Sequence, residues 1–365
     1  MRFRACLALT AAVLLTAHAS AQRDPATALR EQAAWQALDA GDTRRAADLF
    51  RQAIAADPAS GRLYLGAATA AYLERRDDEA REALERAIAL DGSLVGARAL
   101  LGQVLHRNGQ LNDAIRTYEE LVRRAPGERG ARATLERWQR EAELHDRMQQ
   151  AVGERFTVSF EGPPEAEAAR LALEALDRAF WRIGDALGLY PSQAIGVVLY
   201  TSEQFSDITR SPTWAAGAYD GIIRVPMRGA LKDSRELDRV LAHEFTHALV
   251  HDIARRALPT WFNEGLATAL EADDLQWARD TAAHAASPVP LSALQRGFGG
   301  LSGDAARLAY ATSALAVTRI LHDGGGPAIA NVLRDVGAGV DFEAAFARRM
   351  QMTVAQFDAA RPPGE

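Results

Sequence analysis

The chain has 365 residues, of which 48% are hydrophobic and 25% are charged, and its formal net charge is -6. This composition is typical of a globular protein of about two domains and excludes a disordered or collagen-like chain. The net negative charge and the lack of a long basic block also exclude a nucleic-acid-binding protein, which would carry a basic patch.

The N-terminal segment, residues 1–21, has the pattern of a secretory signal peptide. Arg2 and Arg4 precede an apolar run, and residues 19–21 (ASA) form an A-x-A cleavage site. An uncleaved anchor is the alternative, but the run is shorter than the roughly 20 residues of a spanning helix. The only cysteine, Cys6, lies in this segment, so the mature chain would have no disulfide. We expect residues 1–21 to be removed and the protein to be periplasmic or secreted, without a stable membrane span.

A 34-residue period runs from about residue 25 to residue 126. Each unit has a small residue, then a large apolar residue, then a second apolar residue, at Ala46, Ala80 and Ala114, at Phe50, Leu84 and Tyr118, and at Ile54, Ile88 and Val122. A small side chain lets two helices approach closely, and the large one fills the groove beside it. The period therefore predicts a stack of helical hairpins.

The third unit also contains Leu101-Gly102, and with this pair the repeats resemble tetratricopeptide repeats. The resemblance implies an all-α solenoid domain over residues 22–150, with a helix from Gly130 to about Gln150 capping the stack. An ordinary helical bundle with chance spacing is the alternative. A solenoid of this kind implies a surface for peptide or protein partners, but it indicates no site residues.

After residue 150 the pattern changes to that of an α/β (α+β) domain, which we assign to residues 151–365. Alternation and apolar runs predict strands at 156–160 (FTVSF) and 195–200 (IGVVLY) and a helix over 165–187. Asp220-Gly221 suits the tight turn of a hairpin. A further helix is predicted from about Ser234 to Asp252.

That last helix contains the sequence HEFTH, from His243 to His247. Residues four apart lie on one face of a helix, so the two imidazoles can converge on one metal ion. Glu244, next to the first histidine, occupies the position of a general base that acts on a water at the metal. The alternative is a helix whose polar residues merely face solvent.

A hydrolytic zinc site usually has three protein ligands, so a third ligand is the test of this motif. Glu264 lies downstream of His247, in the stretch WFNEGLA (261–267). A helix, a short reversal and a second antiparallel helix would bring Glu264 back beside the two histidines.

HEFTH followed by WFNEGLA resembles the gluzincin metallopeptidases, specifically the peptidase MA-like branch, and the resemblance covers roughly residues 155–361. It implies a zincin-like metallopeptidase domain with one Zn²⁺ per chain, bound by His243, His247 and Glu264, and with Glu244 as the general base. The best-known gluzincins have an acidic residue four positions after the third ligand. Here that position is Thr268, so Glu271 or a backbone carbonyl would have to support a zinc histidine.

Two further roles rest on this resemblance. Gluzincins commonly supply a tyrosine or histidine that donates a hydrogen bond to the oxyanion, and Tyr310 in the stretch AYATS is the candidate; the alternative is a packing aromatic, with His284 as the next donor to test. The strand Ile222–Val225 would be the sheet edge that pairs with extended substrate. His251 lies about 6 Å of helix rise beyond His247 and cannot reach the same ion.

The sequence therefore predicts an exported zinc-dependent metallopeptidase whose repeats recruit a protein or peptide substrate or a partner protein. The alternative is a non-catalytic repeat scaffold whose second domain acts as a binding module. Endopeptidase and aminopeptidase activity both stay open. No cationic cluster that would select a substrate carboxylate can be identified near Glu264.

Overall fold

The computed structural model describes residues 24–209, 217–227, 234–271 and 274–361. The predicted signal peptide lies outside these residues. Within them, no helix combines the length and apolar character needed to cross a membrane.

The first part of the chain consists of three helical hairpins followed by a single helix. Its helices are α1 (Pro25–Asp39), α2 (Thr43–Ala56), α3 (Gly61–Leu73), α4 (Asp77–Leu90), α5 (Val95–Arg107), α6 (Leu111–Arg124) and α7 (Ala131–His145). Each hairpin packs on the next, and separate small cores lie along the stack. The predicted helical-repeat solenoid is confirmed.

The positions that recur in each repeat build these cores. Ala46, Ala80 and Ala114 are fully buried, and so are Phe50 and Leu84 at the next register. The third member of that register, Tyr118, is 4% exposed and packs edge-on against Trp138 of α7. The period therefore reports the packing of successive helix pairs.

The capping helix is shorter than predicted, because α7 ends at His145 and does not reach Gln150. The chain then turns and forms strand β1 (Gln149–Val152), which pairs antiparallel with the following strand. The predicted boundary at residue 150 thus falls within a strand. So short a strand of mixed polarity carries too little alternation for the sequence to show it.

The second part contains a five-stranded mixed sheet in the order β1-β2-β3-β5-β4. The remaining strands are β2 (Phe156–Phe160), β3 (Ile195–Tyr200), β4 (Ala218–Tyr219) and β5 (Ile223–Pro226). β2, β3 and β5 run parallel, and β4 pairs antiparallel with β5. The prediction that the Ile222–Val225 strand forms the sheet edge is wrong. Every residue of β5 is buried, and β5 lies between β3 and β4, so that β4 is the edge among the strands that the structure describes.

Helices cover the sheet and extend beyond it. They are α8 (Ala166–Leu187), α9 (Ser202–Thr209), α10 (Ser234–Ala254), α11 (Thr260–Glu271), α12 (Gln276–Ala283), α13 (Gly303–Gly337), α14 (Phe342–Met350) and α15 (Val354–Ala359). α13 is kinked at Gly325, whose backbone is not helical. One large apolar core joins the sheet to α8, α10, α11 and α13. Within it, α10 packs against α8, α11 and β5, and α11 packs against α10 and α13.

A buried polar network joins the last repeat helix to the sheet. Glu141 of α7 is 1% exposed and Arg224 of β5 is 2% exposed, and their side chains form an ion pair at 2.7 Å. Arg224 also donates to Asp220 at 2.9 Å and to the Tyr200 hydroxyl at 2.7 Å, and Glu141 contacts His106 at 3.0 Å. Burial alone would raise the pKa of Glu141, but His106 and Arg224 lower it to about 2. The network fixes the repeats against the second part of the chain.

Candidate metal centre

Helices α10 and α11 bring the three predicted metal ligands together. A buried apolar stripe of α10, with Leu241 and Phe245, anchors the helix in the core, and His243 and His247 face the other way. After a reversal over residues 255–259, α11 returns beside α10 and places Glu264 opposite both imidazoles. His243, His247 and Glu264 each offer a ligand atom, and these atoms lie within 4.8 Å of one another.

The separations between the ligand atoms fit a tetrahedral metal ion. The Nε2 atoms of His243 and His247 are 3.2 Å apart. The Oε2 atom of Glu264 lies 3.6 Å from Nε2 of His243 and 3.7 Å from Nε2 of His247. Ligand bonds of about 2.0–2.2 Å in a tetrahedron separate neighbouring donor atoms by about 3.3–3.6 Å. Two imidazoles and one carboxylate are also the donor set that zinc accepts in hydrolytic sites. The residues present therefore fit a zinc ion.

Glu271 supports one of these histidines. Its carboxylate lies 2.7 Å from the Nδ1 atom of His243 and 2.9 Å from Arg239. A carboxylate at Nδ1 fixes the ring with Nε2 directed at the metal position. Of the two supports left open by the sequence, the structure contains Glu271. The Nδ1 atom of His247 is buried, and among the described residues it has no hydrogen-bond partner.

Glu244 lies beside the ligand set in a nearly closed environment. Its side chain is 5% exposed, and its Oε2 atom has no hydrogen-bond partner among the described residues. Burial raises the pKa of Glu244, against the opposing effect of the His243 and His247 charges. Gly217, at the start of the edge formed by β4, lies directly against this carboxylate. A free carboxylate oxygen at this place can accept a proton from a water in the cleft.

Tyr310 of α13 also lies at the site. Gly265 permits this, because any side chain there would meet the Ser313 carbonyl oxygen and hold α13 away from α11. The Tyr310 ring packs edge-on against Phe298, and its hydroxyl interacts with Glu264. Burial, followed by the charges of Glu264 and Glu244, raises the pKa of Tyr310, so its hydroxyl is a neutral donor at physiological pH.

All five predicted site residues border one opening, a cleft of about 520 Å³ between the repeats and the second part of the chain. We call it the interdomain cleft. His251 lines it as well, one turn beyond His247, with its ring against Tyr219 of β4. His284 is exposed just after α12, where its Nδ1 atom lies 2.7 Å from the Asp280 carbonyl oxygen, and among the described residues it does not line the interdomain cleft.

The interdomain cleft also contains cationic side chains that the sequence did not reveal near Glu264. Arg75 and Arg107 from the repeats and Arg256 from the reversal after α10 line the same opening as the metal-ligand set. Their separation along the chain hides this proximity, which depends on how the repeats pack on the second part.

Comparison with known proteins identifies the first part of the chain. A family model described as tetratricopeptide repeat matches residues 37–93 and 78–137, so the N-terminal region consists of tetratricopeptide repeats. No curated protein matches the chain at a significant level. The family model ends within α7, and the region that holds the candidate metal centre lies outside it.

Several solved structures are similar to the repeat region. The second tetratricopeptide-repeat domain of human RPAP3, in complex with an HSP70 peptide, is 29% identical and covers 31% of this chain and 96% of its own, with a TM-score of 0.30. The Sgt2 domain from Aspergillus fumigatus is 20% identical and covers 40% of this chain and 95% of its own, with a TM-score of 0.33. MamA is 24% identical and covers 33% of this chain and 70% of its own, with a TM-score of 0.32.

Proposed function

We propose that the second part of this chain is a zinc-dependent peptidase of the gluzincin type. The observation that carries the proposal is the convergence of His243, His247 and Glu264 on one point, with the Glu244 carboxylate beside it in an open cleft. These residues come from two helices whose apolar faces are buried in the core. The resemblance of HEFTH and NEG to gluzincin motifs supports the same function.

Each side chain then has a defined role. His243, His247 and Glu264 would hold the ion, and Glu271 orients His243. Zinc bound there would act as a Lewis acid and lower the pKa of a water molecule towards about 7. Glu244 takes the proton of the attacking water and returns it to the leaving amine, so that one amide bond is broken and one water is consumed. The Tyr310 hydroxyl donates a hydrogen bond to the oxyanion that forms during attack.

The edge strand β4 is the part of the sheet that can hold an extended substrate. Gly217, just before it, lies against the Glu244 carboxylate, and Tyr219 packs against His251. Among the described strands, only β5 pairs with it, on one side. An extended peptide paired with β4 would lie across the metal centre. The repeats would recruit the substrate or a partner protein, and the signal-like residues 1–21 support an exported location.

The second candidate is a repeat scaffold without catalysis, and the family match favours it, because that match covers the repeats alone. Tetratricopeptide repeats present surfaces for protein or peptide partners. The convergence of three ligands with Glu244 has no purpose in a pure scaffold, and for this reason we place the peptidase first.

One experiment separates the two functions. A peptide library is digested with the purified protein and with Glu244→Gln, and the metal content of both samples is measured. The peptidase predicts cleavage by the wild type only, with equal metal in both. Bound metal without cleavage by either sample would support the scaffold. Equal cleavage by both samples would remove Glu244 from the mechanism.

A further inference from the structure

The turns inside the three repeat hairpins share one backbone conformation. Residues 41, 75 and 109 are spaced by 34, and each has a left-handed backbone, with φ of +80°, +59° and +73°. Glycine adopts this conformation freely, whereas a residue with a Cβ atom is disfavoured there. Gly41 and Gly109 follow this rule, but the middle turn has Arg75. Of the three equivalent turns, only this one therefore presents a charged side chain.

The turn that carries Arg75 is fixed at the interdomain cleft. The carbonyl oxygen of Glu74 accepts a hydrogen bond from the Ala257 backbone N–H at 2.9 Å. Ala257 belongs to the reversal between α10 and α11, the two helices that hold the metal ligands. Arg75 therefore keeps a constant position relative to the candidate metal centre, and its side chain lines the same cleft as His247 and Glu264.

The guanidinium of Arg75 forms no direct ion pair with a described carboxylate, and Asp77 and Asp220 act on its charge only at longer range. Among the residues that the structure describes, no carboxylate lies within ion-pairing distance of its guanidinium. The nearby carboxylates are already used, since Asp77 accepts two hydrogen bonds from Arg107 and Asp220 pairs with Arg224 at 2.9 Å. Arg75 is exposed where it lines the cleft, and its partial loss of solvent there, followed by the neighbouring charge of Arg107, lowers its pKa. An anion entering the cleft would relieve this imbalance.

The position of Arg75 along the cleft indicates which anion fits. The charge of Arg75 acts on His251 and on Tyr219 of the edge strand. His251 is about 6 Å of helix rise beyond His247, a distance that about two residues of an extended peptide span. A carboxylate two or three residues from the bond at the metal centre would therefore reach the guanidinium, which binds carboxylates in a bidentate manner.

We propose that Arg75 forms an anion-binding subsite through which the repeats select peptides with a carboxylate two or three residues from the scissile bond. The proposal rests on the proposed peptidase function and adds the substrate class. The carboxylate can be an Asp or Glu side chain or the C-terminal carboxylate of the peptide. The tetratricopeptide repeats are then part of the active-site cleft as well as a recruiting surface.

The test uses the full-length protein and a proteome-derived peptide library in two forms, one with free carboxylates and one with all carboxylates amidated. Arg75→Gly is the test variant, and it should fold because glycine occupies the equivalent turns. Arg255→Gly is the control, since Arg255 is also left-handed (φ +46°) and exposed. It borders a neighbouring cavity that Arg75 also lines, but it pairs with Asp252 and does not line the opening that contains the metal-ligand set.

We expect the wild type and Arg255→Gly to cleave the free library about 10- to 100-fold faster than the amidated one. In Arg75→Gly this preference should fall to near parity, while cleavage of the amidated library stays unchanged. The cleavage positions identify the source of the carboxylate. Asp or Glu at a fixed distance from the cut indicates a side chain, and a fixed distance from the cut to the peptide end indicates the C-terminus.

Two results would overturn the subsite but not the peptidase function. One is equal cleavage of both libraries by the wild type, and the other is an unchanged preference of Arg75→Gly for the library with free carboxylates. No cleavage of either library by the wild type contradicts the peptidase instead. In that case, capture of library peptides on immobilised protein decides the subsite. Preferential capture of the free form by the wild type, lost in Arg75→Gly, upholds it, and equal capture overturns it.

Discussion

Replacing Glu271 with Ala should weaken metal binding without removing any of the three ligands. Glu271 is buried, with its side chain 7% exposed, and it is the only described carboxylate at the Nδ1 atom of His243, at 2.7 Å. Its loss frees the His243 ring to rotate and leaves Arg239 with Glu236 as its remaining carboxylate. Removing such a support typically costs 10- to 100-fold in metal affinity, about 1.4–2.8 kcal/mol.

The assay is competition for zinc with a chromogenic chelator at fixed pH. Glu271→Ala should raise the zinc Kd by about 10- to 100-fold, and Glu271→Gln by less, because the amide oxygen can still accept a hydrogen bond from Nδ1. Glu236→Ala is the matched control, since Glu236 also binds Arg239 but does not touch His243. An unchanged Kd in Glu271→Ala, or an equal loss in Glu236→Ala, would refute the reasoning.

Two further substitutions test the site and the interface between the two parts. Tyr310→Phe should retain zinc while kcat falls about 10- to 1,000-fold with little change in KM; unchanged kinetics would make Tyr310 a packing residue against Phe298. Glu141→Ala should lower the free energy of unfolding by about 3 kcal/mol, because it leaves the buried Arg224 with Asp220 as its only described carboxylate partner, whereas the exposed Glu143→Ala should change it by less than about 0.5 kcal/mol. The pKa of Glu141 is lowered from 4.5 to about 2, so the stability that its carboxylate contributes is present above pH 4.5 and is lost as the pH falls towards 2. The measurement is urea denaturation, and equal free energies of unfolding for Glu141→Ala and Glu143→Ala at pH 7 would contradict the role of Glu141.

The repeats and the metal ligands could be predicted because both depend on short-range spacing. The 34-residue period places Ala46, Ala80 and Ala114 at helix crossings, where all three are fully buried. The four-residue interval between His243 and His247 defines one helix face. The strand and helix bounds near residues 156–200 also follow the predicted pattern closely, because apolar alternation there reflects the burial of each residue.

The features that the sequence missed depend on how distant elements pack. The hairpin predicted around Asp220-Gly221 is confirmed by the antiparallel pairing of β4 with β5. The sequence does not show that its first strand, Ala218–Tyr219, is the outermost one and covers β5. The sequence left either Glu271 or a backbone carbonyl to support a zinc histidine. The choice depends on the rotation of α11 about its axis relative to α10, which the sequence does not give. Arg75 lies in a different domain from Glu264, and no local pattern connects a repeat turn to a metal centre.

The central claim, that His243, His247 and Glu264 hold one zinc ion, is tested most directly by anomalous X-ray scattering. Crystals of the protein purified with zinc should be measured on both sides of the zinc absorption edge. We predict one anomalous peak per chain, about 2 Å from the Nε2 atoms of His243 and His247 and from the Glu264 carboxylate. A zinc peak at other residues only, or a fully ordered site without a peak from protein saturated with zinc, would contradict the claim.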